Sequence, residues 1–596
     1  MSAFRKTTSA NAENTWFYLS MTLIALYLAL AAAANADVTV GRFALFMDER
    51  ITFDGVKNIL HPKGCHHFIW SITDGGDHRY GRSLWNFMAL FSFLPERFFG
   101  DAGQIFAGRM TGVLILLSAF VLLAVTFVKR WFLRFLLLAS LLAMPYTDYY
   151  MSMPKPEPLQ MLLLAAFLYF FKRNNMSFRG GYWIFLGLAF GTKISTLPMV
   201  GVFAIGASLN YLPRLDRLDM NESVRDVLCS LGYFLLGLGL AVPILLPNIL
   251  FYLVAFVAIT RLAARLPSID GWCLKICLAS GMLAVNAISY LFLDDNRTGI
   301  SEWVRNTFLS TKHGADLASI GIGAWGEYFL RDWMVAPVAI TRLFLIISAA
   351  LAAHFSKRVL RESLATSSPT GNSLPLIVML AGLALNLAIV TGVHRLWGFY
   401  LFPGSVLFLT GLFAIIEHYL PKEGGWIIKR DLANYLSVSG IAVVSVIIAC
   451  CWFPNSLLKL NDLSHRTSGP QYAVEYSSYL LIQDFLARYP AKQQGKIAVQ
   501  YDPALFIPLS NAKYDIVEFW TAQPNWKADV VIIGRRYTPK HPPVSQGSPL
   551  YPAYQRMLED YNRNVMYPGS GSLREQRYRR YLELPNGGEV LVTRLD

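Results

Sequence analysis

Residues 108–130 read GRMTGVLILLSAFVLLAVTFVKR, with Arg109 near one end, Lys129-Arg130 at the other and no charge between them. An apolar run of about twenty residues crosses the hydrocarbon core of a bilayer as a helix, roughly 30 Å. Runs of the same kind recur at 16–36, 132–147, 157–171, 182–193, 196–212, 228–246, 248–262, 272–292, 335–354, 374–391, 399–418 and 433–453. The expectation is an α-helical polytopic membrane protein of about thirteen transmembrane helices. The first run ends in Ala34-Asn35-Ala36, which resembles a signal-peptidase site, but its length reads as an uncleaved anchor.

Composition agrees. Of 596 residues, 54% are hydrophobic and only 15% charged, against about 25% charged in a soluble globular chain. That excludes disordered, collagen-like and disulfide-rich classes. The net charge of +14 is not a nucleic-acid footprint. Lys129-Arg130, Lys172-Arg173, Arg214 with Arg217, Arg261 with Arg265, Lys357-Arg358 and Lys429-Arg430 fall in alternate loops, which the positive-inside rule assigns to the cytoplasm with the N-terminus. The connections at 37–107, Pro154, Lys193, 293–334 and Arg395 then face outward, as does the end of the chain. Cys229, Cys273, Cys277, Cys450 and Cys451 lie in or beside apolar runs and read as small hydrophobes.

Two domains are expected: a membrane domain, 1–453, whose first outward loop is 37–107, and an extracytoplasmic α/β domain, 454–596. In the latter, 472–489 reads as a helix, 496–501 and 529–533 as strands, and 581–584 with 589–592 as a hairpin around Asn586-Gly587-Gly588. No phosphate-loop glycine pattern accompanies them, so this domain reads as accessory.

Chemistry is expected where charge collects on the outward side. The first loop carries Met47-Asp48-Glu49-Arg50; the next turn holds Lys155-Pro156-Glu157-Pro158; Lys193 closes a Gly-rich span; and His394-Arg395 precede Tyr400-Leu401-Phe402-Pro403. A solvated loop start is the competing reading of the acidic pair. Charges at a membrane rim are costly, and those on one side tend to converge on a site. Carboxylates with cations at one depth suit a substrate combining an anionic phosphate with a hydroxyl to be deprotonated.

The order of these features resembles the GT-C superfamily of integral-membrane glycosyltransferases. The features are one span, a long outward loop opening on an acidic pair, Gly108-Arg109-Met110 entering a span, Pro145, a Pro156-Glu157 at the start of the next span, and a Gly-rich span ending in Lys193. Within the superfamily the likeness is to the branch of protein O-mannosyltransferases and lipid A aminoarabinose transferases. His394-Arg395-x-x-Gly-x-Tyr400-x-x-Pro403 resembles the late "R-Y-x-x-P" segment of that branch. The resemblance implies transfer of a sugar from a polyprenyl-phosphate donor to a glycan, lipid or protein acceptor, with inversion, at a bacterial inner membrane with a periplasmic site. By it, Asp48 would be the general base, Glu49 would orient or assist it, and Glu157 would position the acceptor or a divalent metal ion. Lys193 and Arg395, with His394 and Lys155, would hold the donor phosphate. Glu157 departs from the pattern, standing where an aspartate is expected and followed by a proline. Asp77, Tyr80 and Arg82 match a "D-x-x-Y-G" pocket region, and His313 lies in another outward loop that could wall the pocket. No cofactor beyond that divalent ion is implied. A secondary transporter or lipid flippase is the rival class, against which stand the long first loop and the lack of any visible repeat.

His61, Cys65, His66, His67, Asp74, Asp77 and His78 crowd the first loop. Their spacing matches no standard zinc pattern, so no metal site is assigned to them.

Overall fold

The computed structural model describes residues 2–38, 47–65, 67–68, 71, 82–144, 146–211, 220–241, 373–392, 398–419, 470–488, 495–500, 514–518, 530–533 and 578–593. Twelve helices lie among them: α1 Ser2–Asn35, α2 Met47–Leu60, α3 Arg82–Phe127, α4 Trp131–Ala143, α5 Thr147–Ser152, α6 Pro156–Arg173, α7 Trp183–Thr192, α8 Leu197–Tyr211, α9 Met220–Ala241, α10 Leu374–Gly392, α11 Phe402–Tyr419 and α12 Pro470–Arg488. Short 3₁₀ turns, Ile194–Thr196 and Gly398–Leu401, lead into α8 and α11. The runs expected at 248–262, 272–292, 335–354 and 433–453 lie outside the described residues, as do Pro145 and the 454 boundary.

Two described helical stretches are long and apolar enough to cross a membrane alone, Glu13–Asn35 and Ser83–Phe127. Shorter apolar helices pack against them around one core. The Tyr27 hydroxyl donates to the Leu142 carbonyl at 2.6 Å, and Phe402 sits 4.8 Å from the Tyr150 ring and 6.4 Å from that of Phe120. Local signals set α6: Pro156 opens it, where a missing N–H costs nothing. Glu157 stands in its first turn and Lys172 and Arg173 in its last, each complementing the helix dipole.

The first outward connection is less loop-like than expected. Residues 47–60 are helical, and α3 begins at Arg82 rather than near 108. Pro95, Gly100 and Gly103 punctuate that stretch like a loop, yet burial overrides them. Leu84, Trp85, Met88 and Ala89 fall on one helical face and close a core with Phe53, Val56 and Ile59 of α2. The irregularity is confined to Gly100, whose φ of 60° and ψ of −146° break the helix. A second departure is Cys229 on α9, which is disulfide-bonded rather than a free apolar thiol, its partner lying outside the described residues. Which of five cysteines meet is a matter of packing that spacing does not reveal.

Helices α7 and α9 cross with their backbones nearly touching. A Cβ on Gly187 would lie 1.9 Å from the Phe234 carbonyl oxygen, and one on Gly237 would lie 2.1 Å from that of Ile184. Small residues permit such approaches between membrane helices. Because the obstacle is backbone, Gly187→Ala is expected to cost about 1–3 kcal/mol, as overpacking does, read as a lowered melting temperature in detergent. An unchanged melting temperature would mean the two helices can part freely.

In the tail, α12 packs on a five-stranded sheet of order β2-β1-β3-β5-β4, with β1 Gly495–Gln500, β2 Tyr514–Glu518, β3 Val530–Ile533, β4 Tyr578–Glu583 and β5 Glu589–Thr593. Strand β1 runs parallel to β2 and β3, while β5 is antiparallel to β3 and β4. Ser478 of α12 accepts from the Asn586 amide at 3.1 Å, and Phe485 meets Tyr581 at 5.0 Å. The helix, two of the strands and the hairpin coincide with the sequence reading; β2 does not appear in it.

Candidate active site

Two ion pairs, one wholly buried and one partly exposed, organise the end of the bundle where α1 finishes and α6 begins. The first joins Arg109 of α3 to Glu49 of α2. Arg109 Nε donates to Glu49 Oε1 at 2.6 Å and Nη2 donates to Oε2 at 3.2 Å, with both side chains wholly buried. Nη1 lies 3.5 Å from the Asn35 and Asp37 carbonyls at the end of α1. The guanidinium fork matches the carboxylate two-to-two, the arrangement that best offsets the cost of burying both charges. The neighbourhood is tied further by Asn35 Nδ2 donating to the Met151 carbonyl at 2.9 Å, the Thr52 hydroxyl to Pro154 at 3.5 Å, and Gln104 Nε2 to Phe53 at 3.1 Å. Helix α2 is thereby fixed to α1, α3 and the turn before α6.

The second pair joins Lys193 to Glu157. Lys193 sits in the extended break between α7 and its 3₁₀ turn, and its ammonium donates to Glu157 Oε1. Its Nζ also lies 5.3 Å over the Tyr400 ring, the geometry of a cation–π contact. Gln160, one turn along α6, donates to Thr196 at 2.7 Å and to Ser195 at 3.3 Å. Burial pushes the Tyr150 phenol well above its ordinary range, and the neighbouring Glu157 carboxylate pushes it further. Tyr150 therefore stays a proton donor. Lys155 is buried, its ammonium 5.4 Å over the Tyr149 ring. The Tyr150 hydroxyl also donates toward the Glu157 carboxylate, whose Oε2, like Oε1 of Gln160, has no partner at strict hydrogen-bond geometry among the described residues, leaving acceptor capacity one helical turn apart.

Of the expected site residues, the structure joins Glu157 to Lys193, and Lys155 is buried two positions before Glu157. Asp48 lies in the first turn of α2, one residue from the Arg109–Glu49 pair; its side chain is outside the described residues, as is that of Arg82. Arg395, His394, Asp77, Tyr80 and His313 are outside them altogether. Glu49, expected beside Asp48 as a catalytic group, instead has both oxygens committed to Arg109 and no exposure. That geometry suits a group that holds the first turn of α2 in place. Sequence reasoning missed Arg109 as a site residue, along with Gln160, Tyr150 and the ring contact of Tyr400.

Glu157 is also the carboxylate that the family likeness offers to a divalent ion. Its Oε1 is engaged by Lys193, and among the described residues no three His, Cys, Asp or Glu side chains form a ligand set. In the first loop, His61 pairs with Glu96 and His67 Nδ1 accepts from the Lys63 amide. The described donors do not fit a metal, and no step below runs through one.

No protein-family model matches the chain, and no curated protein matches it in sequence. Two solved structures similar to it are of ArnT from Cupriavidus metallidurans. The form bound to undecaprenyl phosphate is 11% identical, with 98% of each chain covered and a TM-score of 0.40. The apo form is 12% identical, covering 97% of this chain and 98% of that one, with a TM-score of 0.29. The chemistry of the site rests on its own side chains, not on this likeness.

Proposed function

We propose that the chain is an integral-membrane glycosyltransferase of the GT-C type, moving a sugar from a polyprenyl-phosphate donor to an extracytoplasmic acceptor hydroxyl with inversion. In this reading Asp48 takes the acceptor's proton as the acceptor oxygen attacks the anomeric carbon. The bond from that carbon to the phosphate oxygen breaks, and polyprenyl phosphate leaves with its charge stabilised by Lys193, joined by Arg395, Lys155 and His394. Glu157 and Gln160 accept hydrogen bonds from the bound acceptor through their unpartnered oxygens. Glu49 acts through Arg109 to hold the first turn of α2 at the site. The setting is a bacterial inner membrane with a cytoplasmic N-terminus and periplasmic site. Residues 1–453 form the catalytic membrane domain, and 454–596 a periplasmic domain that caps it or recruits a glycan, lipid or protein acceptor.

One observation carries the reading. Lys193, partly exposed, converges on the buried Glu157 at the end of the bundle to which a hydrogen bond also fixes α2, and this supports an anion-binding group and acceptor oxygens near the helix that carries Asp48. The test is to give purified protein in liposomes a labelled polyprenyl-phosphate sugar together with a membrane extract. Label should pass to an acceptor. Movement of the intact donor across the bilayer without transfer would sink the enzyme reading in favour of a flippase.

Lys193→Met gives a sharper prediction. Removing a cation that meets phosphate in both ground and transition states should raise the donor KM and lower kcat, together about 10²–10³-fold in kcat/KM. The same substitution strands the Glu157 carboxylate, only 2% exposed, so stability falls too. Lys193→Met with Glu157→Gln should restore the melting temperature but not activity. Recovery of both would make the pair structural only.

A further inference from the structure

Helix α7 stops one residue short of its cation. Lys193 has φ −152° and ψ 120°, extended backbone between α7 and the 3₁₀ turn Ile194–Thr196 that leads into α8. The chain leaves its helix at the residue whose ammonium meets Glu157 and Tyr400. Lysine is a point charge on a flexible four-carbon stem, so the backbone at this break decides where the charge can reach.

A helix end leaves carbonyls without intrahelical donors, and Thr196 serves both sides of this one. Its N–H donates to the Lys193 carbonyl at 3.1 Å. Its hydroxyl lies 2.8 Å from that same carbonyl and 3.1 Å from the Ala189 carbonyl, four residues before Lys193. A threonine ahead of a helix ordinarily caps it by accepting from a first-turn N–H. Here the hydroxyl is directed backward, across the break. Its oxygen accepts from Gln160 Nε2 at 2.7 Å, and the same amide nitrogen lies 3.3 Å from the Ser195 hydroxyl. Gln160 and Thr196 are both wholly buried.

Gln160 stands three residues after Glu157, on one face of α6. That face meets the break twice: Glu157 takes the ammonium, and Gln160 takes the turn that carries it. The two contacts respond differently to an anion. A phosphate competes with Glu157 for the same ammonium. The Gln160–Thr196 contact joins an amide, a hydroxyl and backbone carbonyls, all uncharged, and it persists as Lys193 turns from carboxylate to phosphate.

We infer that Thr196, backed by Gln160, is a positioning residue for the donor phosphate, holding Lys193 in the extended conformation from which its ammonium reaches the site. The inference rests on the proposed role of Lys193 as a donor-binding group. Both side chains act on the phosphate through Lys193, so their effect on phosphate binding vanishes once that cation is gone.

The test measures binding of undecaprenyl phosphate to the full chain by native mass spectrometry from detergent. Neither sugar nor acceptor is present, so the acceptor-facing oxygen of Gln160 does not enter. Thr196→Val keeps the shape and removes the hydroxyl; it should weaken binding about tenfold, within what one hydrogen bond to a charged group contributes. Thr196→Ser keeps the hydroxyl and should bind like wild type. In the Lys193→Met, Glu157→Gln background, adding Thr196→Val should weaken binding by no more than about twofold, because the two sites act as one. Gln160→Met should reproduce the loss seen in Thr196→Val, and it replaces that variant if the valine protein does not fold. Wild-type binding by Thr196→Val overturns the inference, and so does an equal loss in Thr196→Ser. A tenfold loss in both backgrounds overturns it alone, leaving Lys193 as the donor's cation. If Lys193→Met, Glu157→Gln binds undecaprenyl phosphate like wild type, the donor-binding role of Lys193 falls first and the inference with it.

Discussion

Arg109→Ala is expected to destabilise the protein by about 3–5 kcal/mol, the cost of removing one partner from a buried ion pair. Arg109 faces both Glu49 oxygens, and neither side chain reaches solvent. The stranded carboxylate would have to take up a proton or drag water into the junction of α1, α2 and α3. Lysine is a poor substitute, since a point charge cannot reproduce the two-to-two fork, so Arg109→Lys should fall between wild type and alanine. Removing both charges is a different experiment. Arg109→Met with Glu49→Leu keeps the volume and abolishes the desolvation cost, and should melt close to wild type. Thermal unfolding in detergent, followed by loss of the monodisperse peak, orders the four proteins. If Arg109→Ala melts with wild type, the pair is not what fixes α2.

The contrast between the two ion pairs shows what a sequence exposes and what it conceals. Glu157 and Lys193 are legible because each sits at a helix boundary with its own local mark. Pro156 opens α6 directly before the glutamate, and the Gly187 to Thr192 stretch runs out at the lysine. Both therefore announce themselves as charges at the rim of an apolar run. Arg109 also stands at such a boundary by eye, but the helix does not begin there. It begins at Arg82, and Arg109 is interior to it. Its partner lies 60 residues away, and no local period connects a guanidinium in one helix to a carboxylate in another. The adjacency of Asp48 and Glu49 does not reveal that partner either. Neighbours along a helix point about 100° apart, so an acidic pair in sequence need not be a pair in space. Residues 82–107 were obscured by Pro95, Gly100 and Gly103, whose local preference for turns loses to the burial of Trp85 and Met88. Strand β2 was hidden for the opposite reason. Tyr514–Glu518 is five residues long with a charge at positions two and five, and only its pairing with β1 makes it a strand.

Because Glu49 is committed to Arg109, the two acidic neighbours should part company when each is neutralised. Under the proposed mechanism Asp48→Asn removes the base and should lower transfer about 10²–10⁴-fold, the range for general acid–base catalysis. An amide is isosteric with the acid, and the substitution leaves the Arg109 fork intact, so the melting temperature should stay near wild type. Glu49→Gln should do the reverse. It leaves Arg109 with a neutral acceptor and a buried charge uncompensated, so the protein melts earlier, while the fraction that remains folded retains much of its turnover. The Arg109→Met, Glu49→Leu protein adds the positioning measurement. If the pair only stabilises, this variant is stable and active. If the pair also sets the direction of the first turn of α2, it is stable yet slow, with a lowered kcat and an unchanged donor KM, because the phosphate contacts of Lys193 are untouched. Equal transfer by Asp48→Asn and wild type, measured at matched folded concentration, would remove Asp48 from the chemistry. The acceptor's proton would then have to leave by another carboxylate, and Glu157 is the one on the same rim.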